Sequence, residues 1–294
     1  MTERVIGVVG GSGFYKMPDL TDVREVTVDT PFGPPSDALV HGRLGETTLL
    51  FLPRHGRGHR LTPSQINYRA NVFALKKLGA QAIISVSACG SMREEIGVGH
   101  IVIVDQFFDR TRLRADSYFD CGVAAHVQFA DPICADLAGQ LYEAAVRLGL
   151  PVQRGGTYLC MEGPAFSTRA ESRIYRKWGV DVIGMTNIPE AKLAREAELC
   201  YATIAVPTDY DCWHDEHADV DVAAIIKALQ QNVQHAQAII REAAPRVALP
   251  RPCACNRALD NALITDLKAI PADARERLAP ILGRVLAARG EGKL

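Results

Sequence analysis

Short, nearly continuous apolar runs alternate with amphipathic stretches along this chain. The runs fall at about 5–9, 38–43, 47–52, 81–87, 101–104, 157–161, 180–185 and 200–206. Several lack the in–out alternation of a strand with one wet face, which is the pattern of strands buried on both sides of a sheet. Helical periodicities lie between them. The first carries Ile66, Ala70, Phe73, Ala74 and Lys77. Thr62 offers its N-cap, Pro63 its first position, Gln65 the partner of a capping box, and Gly79 stops it. A second covers about 132–148, with Ile133, Leu137, Leu141 and Leu148 on one face. A third covers about 168–178, and a fourth, about 221–242, carries Val222, Ile225, Ile226, Leu229, Val233 and Ile240. The alternation predicts an α/β fold with a central mixed β-sheet flanked by helices.

Residues 1–245 read as one domain. A proline- and cysteine-bearing linker, 246–260, leads to short helices at about 260–268 and 273–288, so that 246–294 forms a helical extension packed on the core or on a neighbouring subunit. The charge is nearly balanced, 33 Lys and Arg against 34 Asp and Glu, with no basic run, which argues against nucleic acid as a partner. No apolar stretch approaches the roughly 18–20 residues that span a bilayer. MTER leads directly into a strand without a signal peptide, so the expected location is the cytoplasm.

Eight cysteines fit a reducing compartment as buried thiols. Cys253-Ala-Cys255 is the exception, close-spaced in a polar stretch. No second pair follows at zinc-finger spacing, so a chance pair is the plain reading and a redox-labile bridge or a tie to another cysteine the alternative. Glycines interrupt the His55/His59 pair, and His214 and His217 lack a third ligand. No metal site is expected.

Four segments place small or polar residues at the C-terminal ends of predicted strands, where α/β folds bind ligands. They are Gly10-Gly11-Ser12-Gly13, Pro53-Arg54-His55-Gly56, Ser87-Ala88-Cys89-Gly90-Ser91 and Gly184-Met185-Thr186-Asn187. The glycine turn fits neither the dinucleotide spacing G-x-G-x-x-G nor a Walker loop. Taken alone it is either a plain turn or a small anion site. Three hydroxyls, a guanidinium and an imidazole from separate strands would make a phosphate-sized pocket. A fifth segment, Thr208-Asp209-Tyr210-Asp211-Cys212-Trp213, puts two carboxylates two apart after an apolar run.

The glycine turn, PRHGRGH, NYRANVFALK, SACGSMREEI, IVIVDQFFDRT, MEGPAFSTRAES, VIGMTNIPEAKLAREAELCYA and TDYDCW resemble, in this order, the S-methyl-5'-thioadenosine phosphorylases of the trimeric purine nucleoside phosphorylase branch. The resemblance covers roughly 4–241. It implies that inorganic phosphate, a co-substrate rather than a cofactor, cleaves methylthioadenosine to adenine and 5-methylthioribose 1-phosphate. It implies phosphate binding by Ser12, Arg54, His55, Ser87 and Thr186, with a backbone N–H near Ala88. Phe166 and Met185 would line ribose and base, Asp209 would face purine N7, and Asp211 the exocyclic amino group. Val222, Ile225 and Ile226 would wall the 5' pocket, and His126 would reach a neighbour's 5' pocket in a homotrimer. An Asp donates to N7 only when protonated, so Asp209 is expected to have a raised pKa. Two aspartates suit a 6-amino purine; relatives acting on 6-oxo purines tend to carry Asn at the position of Asp209. Gly184 departs from the Asn common in eukaryotic relatives, and Ala165 from a common basic residue. The competing readings are a phosphorylase for 6-oxopurine nucleosides and a non-catalytic nucleoside-binding protein.

Overall fold

The computed structural model describes residues 3–11, 17–214, 222–248 and 252–289, without the side chains of 222–232. Eleven strands among them form one mixed sheet: β1 (Arg4–Gly10), β2 (Thr21–Val26), β3 (Leu39–Leu44), β4 (Thr47–Pro53), β5 (Ala82–Ser91), β6 (Ile101–Ile103), β7 (Gln106–Arg110), β8 (Val152–Arg154), β9 (Thr157–Met161), β10 (Val182–Gly184) and β11 (Cys200–Asp209). Strands β1 and β4 are buried along nearly their whole length, as their unbroken apolar runs predict.

Strand β5 is the branch point that creates the site. Along one side it pairs in parallel with β11 over Ala82–Gly90. Along the other, Ala82–Ser85 pair with β1, whereas Gly90 and Ser91 pair antiparallel with β10. Val86–Cys89 therefore have no strand on that side among the described residues. A sheet whose neighbour changes in this way opens a crevice at the strand ends.

The eight predicted strands are present. Strands β2, β7 and β8 were not expected. Strand β2 is an edge, Thr-Asp-Val-Arg-Glu-Val, exposed almost throughout, so no apolar period marks it. Among the described residues strand β7 pairs only with β9, and β8 has three residues.

The helices are α1 (Tyr68–Lys77), α2 (Ala135–Arg147), α3 (Arg169–Lys177), α4 (Asn187–Glu196), α5 (Val222–Ala243), α6 (Ala272–Arg277) and α7 (Ala279–Ala288). The start of the first helix is corrected. The Thr62–Gln65 box exists but closes only a 3-10 turn at Pro63–Gln65; the Asn67 side chain accepts from the Ala70 N–H and caps α1 instead. Helix α4 was not predicted. Of its ten residues only Lys192 and Arg195 are not buried, so it has almost no polar face to reveal a period.

The expected helix at 260–268 is replaced by 3-10 turns at Ala254–Arg257 and Leu267–Ala269. The segment packs on the sheet's own core through Leu259, Ile270, Leu278, Ile281 and Leu282, and α7 lies against α1. The reading of Cys253 and Cys255 as a chance pair is also corrected, since both lie beside Cys134 and Cys200.

Candidate active site

Arg54 follows β4 directly and is 3 % exposed. Its Nε and Nη2 donate to the two oxygens of Glu190 at 2.8 and 2.9 Å. Nη2 also reaches Ser85 Oγ at 2.6 Å and Val9 O at 3.3 Å, and Nη1 donates to Val86 O at 3.0 Å. One Nη1 hydrogen remains without an acceptor among the described residues, since a guanidinium has five N–H donors. The expected open fork is thus largely closed by Glu190, a bidentate partner supplied by α4. Glu190 also accepts from Tyr201 Oη, and Asn187 Nδ2 joins Tyr201 Oη to Thr203 Oγ1. This buried network underlies the crevice. Its one legible signal was a lone acid inside the apolar run around Ile188 and Ala191, because a buried carboxylate requires a partner.

Ser87 and Thr186 converge on the crevice with hydroxyls 3.5 Å apart. Thr186 sits at the N-cap of α4, yet its side chain makes no capping bond. Ser87 Oγ also lies 2.9 Å from Tyr158 Oη, a fully buried group that sequence reasoning missed. Residues two apart in a strand turn their N–H and C=O to the same side. Val86 O points to Arg54, so the Ala88 N–H faces the same unpaired side of β5.

His55 Nδ1 lies 2.8 Å from Leu61 O, and its ring stacks on His59 at 4.1 Å. Burial, then the nearby Arg54 and His59, lowers its pKa to about 4, so the ring is neutral at pH 7. A neutral ring meets the Leu61 carbonyl with Nδ1–H and keeps Nε2 as an acceptor. Ser12 lies outside the described residues.

The two aspartates occupy the far end of β11. The pairing with β5 shifts register between Pro207 and Asp209, a bulge that re-aims the strand end. Asp209 Oδ1 accepts from the Asp211 N–H at 2.8 Å, and Oδ2 from Thr208 Oγ1 at 2.8 Å. A β-carbon on Gly90 would lie 2.8 Å from Asp209 Oδ1, so a glycine there lets the carboxyl rest on the β5 backbone. Burial raises the pKa of Asp209, with the Asp211 charge adding to it, as the sequence reading expected. Asp211 is buried, its pKa is raised by that burial, and Oδ2 has no hydrogen-bond partner among the described residues. Thr208 Oγ1 has a second acceptor, Cys89 O at 3.3 Å, so it can turn away when Asp209 carries a proton.

Phe166, 44 % exposed, precedes Ser167, whose carbonyl accepts from Cys212 Sγ at 3.4 Å. This ties the Phe166 loop to the aspartate segment. Met185 lies over Gly163, and Arg114, buried and also missed in the sequence, donates to Met185 O and Ile188 O. His126 stands apart from this group. It borders a cavity shared with Cys134, Arg195 and Cys253, and none of the strand-end residues line that cavity. The side chains of Val222, Ile225 and Ile226 lie outside the described residues.

The sequence model of the phosphorylase superfamily matches residues 5–245. The S-methyl-5'-thioadenosine phosphorylase of Geobacter sulfurreducens is 63 % identical over 282 residues, covering 96 % of this chain and 99 % of the relative. Among solved structures, a methylthioadenosine phosphorylase from an antarctic soil metagenomic library superposes with a TM-score of 0.90 at 45 % identity, covering 96 % of this chain and all of the other. Methylthioadenosine phosphorylase from Schistosoma mansoni in complex with adenine gives a TM-score of 0.82 at 35 % identity, with 88 % and 99 % covered. By this likeness over nearly its whole length, the chain belongs to the phosphorylase superfamily and, within it, to the S-methyl-5'-thioadenosine phosphorylases.

Proposed function

We propose that this protein catalyses phosphorolysis of S-methyl-5'-thioadenosine, giving adenine and 5-methylthioribose 1-phosphate. The observation that carries the substrate choice is the pair of aspartates at the end of β11: burial raises the pKa of both, the Asp211 charge adds to the rise at Asp209, and Asp211 keeps Oδ2 without a hydrogen-bond partner among the described residues. Cleavage of the N-glycosidic bond places positive charge on the sugar and negative charge on the departing purine. Protonated Asp209 donates to N7 and stabilises the second charge; Asp211 accepts from the 6-amino group. A 6-oxo purine would present an acceptor to Asp211 and leave two acceptors opposed.

Phosphate is the nucleophile, held on the sugar's far face, and it offsets the first charge. In this reading Ser87, Thr186, the Ala88 N–H, the remaining Arg54 N–H and Ser12 donate to it. His55 Nε2 accepts the hydrogen of monohydrogen phosphate. Phosphate is a co-substrate, and the reaction calls for no cofactor. Met185 and Phe166 cover ribose and base, and Val222, Ile225 and Ile226 the methylthio group.

The same reading makes the protein a cytoplasmic homotrimer. Eight thiols without a disulfide suit the compartment. The position of His126 away from its own chain's strand ends suits a role at a neighbour's 5' pocket. The test is purine release from methylthioadenosine and from methylthioinosine, each with and without phosphate. Phosphate-dependent adenine release with little hypoxanthine supports the proposal. Predominant hypoxanthine overturns the aspartate assignment, and release from neither overturns the reaction.

A further inference from the structure

Four of the eight cysteines, from three separate stretches of chain, meet at one point away from the strand ends. Cys134 is the N-cap of α2, Cys200 opens β11, and Cys253 and Cys255 flank Ala254 at the 3-10 turn. Their sulfurs all lie within 4.8 Å of one another. Cys253 Sγ is 3.3 Å from that of Cys200 and 3.7 Å from that of Cys134.

These separations suit one chemistry. A disulfide brings two sulfurs to about 2.05 Å and needs only a pair. A tetrahedral zinc with bonds of about 2.3 Å sets its four sulfurs about 3.8 Å apart. The cluster has the count and nearly the spacing of the second arrangement. Oxygen-seeking cations are disfavoured by four soft donors. One feature of the surroundings favours thiolate at Cys134. Cys134 stands at the N-terminus of a 13-residue helix, whose first N–H groups and dipole stabilise negative charge. Its own N–H donates to Tyr201 O at 2.8 Å, which locks that helix end to β11 beside Cys200. A cavity of about 590 Å³, bordered by Cys134, Cys253 and Cys255 and by Arg195 and Arg257, gives an ion a way in and brings cationic side chains to its wall.

We propose that Cys134, Cys200, Cys253 and Cys255 form a four-thiolate site for a thiophilic divalent cation, zinc foremost, which clips the C-terminal segment to the start of β11 and α2. Binding exchanges thiol protons for the metal and transfers no electron. Four protein ligands fill a tetrahedral shell, so the ion supports structure and has no open position for substrate.

The test uses the full-length protein purified under reducing conditions without added metal. Elemental analysis should find about one zinc per chain. In denaturant a thiol reagent should titrate Cys89, Cys121, Cys160 and Cys212 and leave the other four of the eight cysteines unreacted until chelator is added. Cobalt added to chelator-stripped protein should produce the intense visible bands and thiolate charge transfer of a tetrahedral sulfur site. Cys253→Ser and Cys255→Ser should lose that spectrum, and the wild-type titration stands even if either variant fails to fold. Protein that carries no zinc, takes up no cobalt and titrates all its thiols in denaturant without chelator overturns the proposal. So do four missing thiols that return with reductant but not with chelator, since those are disulfides.

Discussion

A β-carbon on Gly184 would sit 1.8 Å from the phenolic oxygen of Tyr158 and 2.6 Å from its ring carbon Cζ. The two residues therefore share one volume between β9 and β10, and only one of them can have a side chain there. Tyr158 uses the space to bring its hydroxyl within 2.9 Å of Ser87. This gives a physical account of the departure from relatives with Asn at this position: the glycine belongs with the tyrosine. Gly184→Asn alone should cost about 3 kcal/mol or more, the upper end for overpacking a filled core. Combined with Tyr158→Ala, it should cost at least about 1 kcal/mol less than the sum of the two single changes. Urea denaturation of the four proteins measures the coupling, and additive losses would refute the shared volume.

The ion pair of Arg54 with Glu190 makes a second case. Both side chains are almost fully buried, at 3 and 1 % exposure. Removing one partner from such a pair leaves a buried charge unmet and costs about 3–5 kcal/mol. Glu190→Gln should lower the melting temperature accordingly. It should also release the guanidinium charge toward the crevice. Phosphate should then raise the melting temperature of the variant more than that of the wild type. Equal phosphate effects would place Arg54 outside the anion site and leave it a structural group.

The contrast between these two networks marks how far the sequence could be read. The strand ends were legible because apolar runs stop at small and polar residues, so the segments that hold Arg54, Ser87, Thr186 and Asp209 stood out from the pattern, and the family resemblance assigned those residues their roles. Their partners could not. Glu190 lies on a helix buried on nearly all sides, where no periodicity is left to see. Tyr158 looks like any core aromatic of a strand until Gly184 is found beneath its hydroxyl. The cysteine cluster joins residues that are 53 and 119 positions apart, a proximity that only the packing of the C-terminal segment creates.

Glu196 gives a pH signature of stability separate from the proposed chemistry. It is 6 % exposed and accepts from Ser117 Oγ at 2.8 Å and the Tyr118 N–H at 2.7 Å. Burial nevertheless pushes its carboxyl up to about 7, from an ordinary value of 4.5. The folded protein thus holds this proton more tightly than the unfolded chain does. Its contribution is full below about pH 4.5 and is lost as the pH rises through about 7. Glu196→Gln removes the titration. The stability difference between wild type and variant should shift by up to about 3 kcal/mol between mildly acidic and mildly alkaline buffer, in the variant's favour at high pH. Denaturation midpoints that move in parallel across that range would contradict the assignment.

Asp209 carries the last prediction, because its role depends on a proton that its surroundings must keep. Burial and the Asp211 charge raise its pKa, and Thr208 can turn its hydroxyl from Asp209 Oδ2 to Cys89 O when the proton arrives. Only the protonated acid donates to N7, so turnover of methylthioadenosine should fall as the pH rises through that pKa. Asp209→Asn replaces the acid with an amide that donates at every pH. Its turnover should be independent of pH in that range and lower by about 10²-fold or more, because an amide can hydrogen-bond N7 but cannot give it a proton. An amide also offers two N–H groups, one for N7 and one for a 6-oxo oxygen. The ratio of methylthioinosine to methylthioadenosine turnover should therefore rise by at least about tenfold. Steady-state rates on both substrates across pH decide the matter. If the variant keeps the wild-type pH profile, the titrating group lies elsewhere and Asp209 serves only to hold the Asp211 backbone in place.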